Sequence, residues 1–348
     1  MNKKGRLFLG VIMLMLVVLV LSSCGQDKRV VLNVYNWGDY IDESVIDTFE
    51  KKYNIRVNYD TFSTNEDMYV KIKSGGANYD VLFPSDYTIE RMIKEDMLAK
   101  LDFNNIPNYK YIEERFKNLD YDPQNEYSVP YMWGTVGILY NKTMVDEPVT
   151  SWRILWDQKY NKQILMLDSQ RDSIGVALKM LGYDMNTRNL EELEAAKEAL
   201  IQQKPLVLAY VGDDVKDKMI AGEAALAVVW SGDAVNMKQE SSDLEYALPR
   251  EGSNLWFDAM VVPKTSKHKA EAEKFINFMC EPEIAFKNAD YIDYSSPHRE
   301  VKKMLDPALL NDPAAYPKEE DLVNYDIFKD LGDYLKVYDR IWTEVKAH

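Results

Sequence analysis

Twice along this chain the spacing of apolar residues switches between the two-residue period of a strand and the three-to-four-residue period of a helix. Residues 30–37 alternate as a strand, and residues 44–53 carry helical spacing through Val45, Ile46 and Phe49. A strand over 56–62, a helix over 68–72 ended by Gly75 and Gly76, a strand over 80–84 and a helix over 88–98 complete a βαβαβα series. The second series has a strand at 163–167, helices at 173–181 and 190–203, and a strand at 206–211. A helix at 214–221 and strands at 224–230 and 245–248 complete it. Such alternation calls for mostly parallel sheets with helices on their faces. A chain of 348 residues exceeds what one core comfortably holds, so two α/β lobes are expected. Between the series lies SVPYMWGTVGILYN, residues 128–141, apolar and aromatic with two glycines, which reads as a strand crossing between lobes. A helix over 269–286 and a long helical tail to 345 should return to one lobe and then the other. Lobes joined by more than one crossing strand leave a cleft, and ligands of open α/β sheets bind beyond the carboxyl ends of strands.

The first residues place a basic head, Lys3, Lys4 and Arg6, before an apolar run over 7–21, about 15 residues, too short for a spanning helix and typical of an export signal. Leu21-Ser22-Ser23-Cys24 resembles the bacterial lipobox, which implies cleavage after residue 23 and a diacylglycerol on Cys24. An ordinary signal peptide with a chance cysteine is the plainer alternative. Residues 24–29 then form a short polar tether to the membrane. Cys280 is the only other cysteine, so no disulfide framework is expected, and it reads as a core thiol. Loss of the signal takes the formal net charge from −15 to −18 by removing three basic residues. Acidity of this size disfavours nucleic acid and anionic lipid and draws in cations, although it also serves solubility.

The strand ends repeat one chemistry. They carry Trp37, Gly38, Asp39 and Tyr40; Ser85, Asp86 and Tyr87; Asp172; and Trp230 with Asp233. Within SNLWFDAMVVP, residues 253–263, Trp256 and Asp258 add to the set, and an isolated carboxylate in so apolar a strand requires a positive partner. Aromatic faces attract ammonium groups by about 0.5–2 kcal/mol and contact alkyl chains, while carboxylates accept charge-assisted N–H bonds. A flexible diamine or triamine satisfies both. Each residue also has a structural explanation: the tryptophans as core rings with a polar tip, and Asp39, Asp86 and Asp233 as helix caps.

The segments VYNWGDYI, YDVLFPSDY, VPYMWGTVGILYN, VTSWRILWDQKY, AVVWSGDA and WFDAMVVP, with the helix AEKFINF, resemble the spermidine/putrescine-binding proteins of bacterial polyamine ABC importers, in order and over nearly the whole chain after the signal. The resemblance implies a two-lobed periplasmic-binding-protein fold of type II. Each lobe is then a mostly parallel sheet flanked by helices, with residues 30–134 and 261–302 in the N-terminal lobe and 135–260 and 303–348 in the C-terminal lobe. It implies first-lobe contacts from Trp37, Tyr40, Ser85 and Tyr87 and second-lobe contacts from Asp172, Trp230, Trp256 and Asp258. Tyr294 makes a further wall, and Asp258 grips an amine. Asp233 matches the putrescine-type pattern. Phe328 stands where spermidine-type members carry glutamine, and Asp172 stands for a glutamate, so putrescine is favoured over spermidine. A monomer that delivers its ligand to permease subunits, without metal or cofactor, follows from membership.

Three other readings compete. A hydrolase using Asp172, Asp233 or Asp258 would need one acid protonated and a poised water, and neither GxSxG nor HExxH occurs; the histidines are His268, His298 and His348. A lipid-anchored sensor or adhesin would keep the site and change the job. A receptor for amino acids would need an arginine for the carboxylate, and only Arg171 is offered at the strand ends; a ferric site would draw on the 23 tyrosines.

Overall fold

The computed structural model describes residues 29–76 and 78–348. The proposed signal, Cys24 and most of the tether lie outside these residues. Strands β1 (Val31–Trp37), β2 (Arg56–Phe62) and β3 (Val81–Leu82) pair in parallel, with β1 in the middle. In the second half β5 (Ile164–Leu167), β6 (Val207–Val211) and β7 (Leu226–Trp230) also pair in parallel, with β5 in the middle. Two antiparallel strands join these groups, β4 (Ser128–Asn141) and β9 (Leu255–Val261), in the order β2-β1-β3-β9-β4-β7-β5-β6; β8 (Leu244–Ala247) pairs with β4. The fold is two-lobed α/β.

The crossing strand β4 is buried along almost its whole length. Its first part, Ser128 to Thr135, pairs with β9, and from Val136 onward it pairs with β7 and β8. Gly134 lies at this handover, where a Cβ would meet the Trp256 indole at 2.5 Å. Its missing side chain lets that ring lie against the strand.

Helices follow the strands with ordinary terminal chemistry. α1 (Glu43–Tyr53) is capped by Asp42, whose side chain accepts from Ser44 N, and ends at left-handed Asn54; Val45 and Phe49 face the core. α2 (Asn65–Lys73) is capped by Thr64, and α3 (Asp86–Lys94) begins directly after Ser85. α4 (Gln170–Leu181) is capped by Ser169 and closes on left-handed Gly182. α5 (Leu190–Gln203), α6 (Val215–Ile220) and α7 (Ser231–Glu240) belong to the second half.

The structure corrects three expected elements. The third strand is only Val81–Leu82, because the chain turns at Phe83-Pro84 into α3. The helix expected over 269–286 is two, α8 (Lys269–Met279) and α9 (Pro282–Ile292), since Pro282 lacks an N–H and holds Glu281 in an extended conformation. The helical tail is mostly irregular. Pro307, Pro313 and Pro317 interrupt it, leaving α10 (Pro307–Leu310) and the terminal α11 (Leu335–Ala347), which packs on α4 and α5 through Tyr338, Ile341 and Val345. Cys280 is buried at the end of α8, and burial pushes its thiol pKa up to about 12. Among the described residues no helix is long and apolar enough to cross a membrane.

Candidate functional site

Alternation along β9 puts Trp256 and Asp258 on one face, and Asn254 precedes the strand at the same two-residue spacing. Asp258 is 6% exposed. The Ser85 hydroxyl donates to its Oδ1 at 2.6 Å and the Tyr40 hydroxyl to its Oδ2 at 2.7 Å. Ser85 is held in turn by Asn65, whose Nδ2 donates to the hydroxyl at 3.0 Å and whose Oδ1 accepts from Ser85 N at 3.1 Å. Burial pushes the Asp258 pKa up to about 6 against the pull of these two hydroxyls. Among the described residues no lysine, arginine or histidine forms an ion pair with it. Asp258 is a buried acid whose protein partners are neutral donors.

Asp172 repeats the pattern from the first turn of α4. Ser169 Oγ donates to Oδ2 at 2.7 Å and Asn254 Nδ2 to Oδ1 at 3.4 Å. Burial raises its pKa to about 6, opposed by these donors and by Arg171, with Glu66 adding to the rise. Arg171 directs its two terminal nitrogens at other partners, while its Nε is buried without one among the described residues. Its guanidinium lies 4.3 Å from the Phe328 ring centroid and 5.3 Å from those of Tyr87 and Tyr338, and it donates to Lys329 O and Asn186 Oδ1. Tyr87 donates to Glu66 Oε1 at 3.1 Å, and burial raises the Glu66 pKa. Tyr87 and Phe328 meet edge to face at 6.0 Å.

The rings form a connected wall. Trp37 donates through Nε1 to Phe83 O at 2.8 Å; Phe83 packs on Tyr131, Tyr131 on Tyr40, Tyr40 on Tyr294 and Tyr294 on Trp256. Gly232 makes room for this wall, because a Cβ there would overlap the Tyr294 ring. Trp230 is half-buried at the end of β7, opposite Val136 of β4.

The remaining expected residues are engaged by protein groups or lie at the rim. Asp86 is a correction: it is fully buried, and its two oxygens accept from Tyr87 N at 2.7 Å and Phe257 N at 3.0 Å, so it fastens α3 to β9. Gly38 and Asp39 are exposed at the rim, where a Cβ on Gly38 would approach Asp213 at 3.5 Å. Asp233 is buried but already faces a cation, Lys216 Nζ at 3.4 Å. Burial opposes the charge of Lys216, yet Asp233, Asp213 and Asp39 together raise its pKa, as for a paired lysine. Asp233 also goes up rather than down, because its burial outweighs one ammonium at that distance.

Asn65, Glu66, Asn254 and Lys216 are the site neighbours that sequence reasoning missed. Only Asn254 carried a usable signal, its two-residue spacing from Trp256 and Asp258. The site presents carboxylates and ring faces, a combination suited to cationic solutes. Among the described residues no group of three or more His, Cys, Asp or Glu side chains is placed to hold a metal ion.

Two α/β lobes joined through β4 and β9, with buried acids and aromatic rings at the junction, define a two-lobed receptor for a small solute. Residues 44–317 match the family model for bacterial extracellular solute-binding proteins. A Salmonella typhimurium spermidine/putrescine-binding periplasmic protein is 34% identical over 330 residues, covering 94% of each chain. A Listeria monocytogenes structure, provisionally assigned as a spermidine/putrescine ABC transporter, is 44% identical with a TM-score of 0.88, over 91% of this chain and 98% of that one. The substrate-binding protein PotD of a Streptococcus pneumoniae spermidine/putrescine ABC transporter is 40% identical with a TM-score of 0.79, over 92% and 99%. The chain belongs to the bacterial extracellular solute-binding protein family, in its spermidine/putrescine-binding branch.

Proposed function

We propose that this protein is a lipid-anchored extracytoplasmic polyamine receptor, a monomer that delivers its ligand to the permease subunits of an ABC importer. The carrying observation is that Asp258 and Asp172, both buried, are met by hydroxyl and amide donors and, among the described residues, by no ion-paired lysine or arginine. An alkyl ammonium supplies the missing charge, and the wall from Tyr40 through Tyr294 to Trp256 contacts the methylenes between ammoniums. Two such acids match the two charges of a diamine. With Asp233 already facing Lys216, the preference for putrescine rests on that match, on the short arm of Asp172 and on Phe328. The lobes divide at 134/135 and 260/261, with 303–348 in the second, and hinge about the crossing strands. Hinged closure then changes the face shown to the permease, while a lipid on Cys24 keeps the receptor beside it.

Calorimetric titration of the protein lacking residues 1–23 tests this reading. Putrescine should saturate one site with a change in tryptophan fluorescence, spermidine should bind more weakly, and the uncharged diol of equal length should give no heat. Equal heats for diamine and diol would overturn the polyamine assignment, and tighter spermidine would overturn the ranking alone.

A further inference from the structure

Asn254 is 2% exposed and its backbone is fixed on two sides. Val136 N donates to its carbonyl at 3.2 Å, and it forms a parallel bridge with Asp326, flanked by bonds from Asp326 N to Ser253 O and from Leu255 N to Asp326 O. Its side chain therefore has little freedom. Nδ2 points at Asp172 Oδ1, while Oδ1 is buried and receives no donor from any described residue. The opposite amide orientation would set Oδ1 against an ionised carboxylate, so the charge of Asp172 itself selects the observed one. Buried acceptors of this kind are nearly always satisfied. This one belongs to the residue just before β9, two and four positions from Trp256 and Asp258, and to the same planar group that touches Asp172.

We propose that Asn254 Oδ1 is a ligand contact, accepting an N–H from the ammonium whose charge Asp172 receives. The inference rests on the polyamine reading above. A primary ammonium carries three N–H donors, and one carboxylate seldom satisfies all three. Asp172 and Asn254 together offer a charged and a neutral acceptor side by side. The end of the site they form thus recognises a terminal ammonium by its hydrogens as well as by its charge.

Substitutions at 254 separate this role from that of a brace for Asp172. In calorimetry with putrescine at pH 7.5, Asn254→Leu should weaken binding about tenfold or more, the usual loss of one hydrogen bond to a charged group. Asn254→Asp keeps an acceptor and removes the donor to Asp172, so it should bind within about threefold of wild type, and tighter than Asn254→Leu in any case. Under the proposal the ammonium lies between the two carboxylates of Asn254→Asp and neutralises their repulsion; if Asn254 only braces Asp172, no ligand charge reaches position 254, the repulsion stays uncompensated, and Asn254→Asp will be the weaker of the two. That ordering, or an unchanged Asn254→Leu, overturns the inference. Thermal melts verify folding, and Asn254→Ala reads the same loss if the leucine variant does not fold. Wild-type protein that binds no polyamine would sink the functional reading itself, whereas normal wild-type binding with an unchanged Asn254→Leu sinks this inference alone.

Discussion

Acid pH is the most informative perturbation of the proposed site. Burial pushes the pKa of both Asp258 and Asp172 from 3.8 to about 6, against the hydroxyl donors of Ser85, Tyr40 and Ser169. Two pKa units correspond to about 3 kcal/mol for each group. Because the folded pKa lies above the unfolded one, the folded state binds the extra protons between about pH 4 and 6. The stability these groups contribute is present below about pH 4 and is lost as the pH rises through 6. An incoming ammonium acts in the opposite sense, since it favours the charged form and must expel any proton held there. The ligand stays cationic throughout, because alkyl ammonium groups titrate near pH ~10. With a pKa of about 6, each acid is about nine-tenths ionised at pH 7 and about one-tenth at pH 5. A ligand needing both carboxylates should lose about tenfold per group, or about a hundredfold in affinity, over that interval. At pH 6, calorimetry in two buffers of different ionisation heat should register about one proton released per ligand bound. Asp258→Asn should weaken binding at pH 7 by more than about 2 kcal/mol and leave only about a tenfold pH effect. The unliganded variant should melt higher at pH 7, a neutral amide being less costly to bury. Affinity that stays level from pH 7 to 5, with no proton released, would refute the assignment of these two acids as ammonium receptors.

Two further substitutions probe the neighbouring groups. Lys216→Met leaves Asp233 buried without its cation, so the unliganded protein should lose about 1–3 kcal/mol in denaturant unfolding, less than for a fully buried pair because Lys216 is partly exposed. The same variant should bind diamines more tightly; unchanged stability and affinity would show that the contact carries nothing. Gly232→Ala would ordinarily favour α7 by about 1 kcal/mol. Overlap with the Tyr294 ring should reverse that sign to a net loss of about 1–3 kcal/mol, visible as a lower Tm, and weaken ligand binding, whereas a raised Tm would show that the ring moves freely.

The two α/β series, the crossing strand and the strand-end chemistry were legible because each is a local pattern. Asp258 announced itself as a carboxylate inside an apolar strand, and the rings of Trp256 and Tyr294 meet each other beside it. The backbone bonds of Asp86 were not legible, because an acid in the first turn of a helix looks the same whether it faces a ligand or two backbone amides. Lys216 and Glu66 stayed hidden for a different reason. Each sits on a helix that reads as an ordinary polar surface, and only the tertiary packing brings one to Asp233 and the other to Tyr87. The break between α8 and α9 was present in the sequence as Pro282, but the unbroken apolar spacing around it suggested a single helix.

The energetic weight of the site falls on the junction rather than on the rim. There, Asp330 meets Lys94 Nζ at 3.2 Å and donates its backbone N–H to Glu90 at 2.7 Å. Lys94 is about half exposed, and a pair of that kind contributes about 0–1 kcal/mol. The two junction acids together disfavour their buried, ionised arrangement by about 6 kcal/mol at pH 7, from two shifts of about 3 kcal/mol each. A rim contact of that size cannot offset them. Asp258 takes its donors from Tyr40 and Ser85 in the first series, while Asp172 belongs to the second and accepts from Asn254, the residue before β9. A dication that satisfies both acids at once lowers the free energy of the arrangement that buries them, and Asp258 is bonded there by Tyr40 and Ser85 of the first lobe, so the proposed closure would be favoured through those two hydroxyls. On the proposed reading a monoamine meets one acid and leaves the other's cost in place, so the number of ammoniums, more than the length of the carbon chain, should set the affinity.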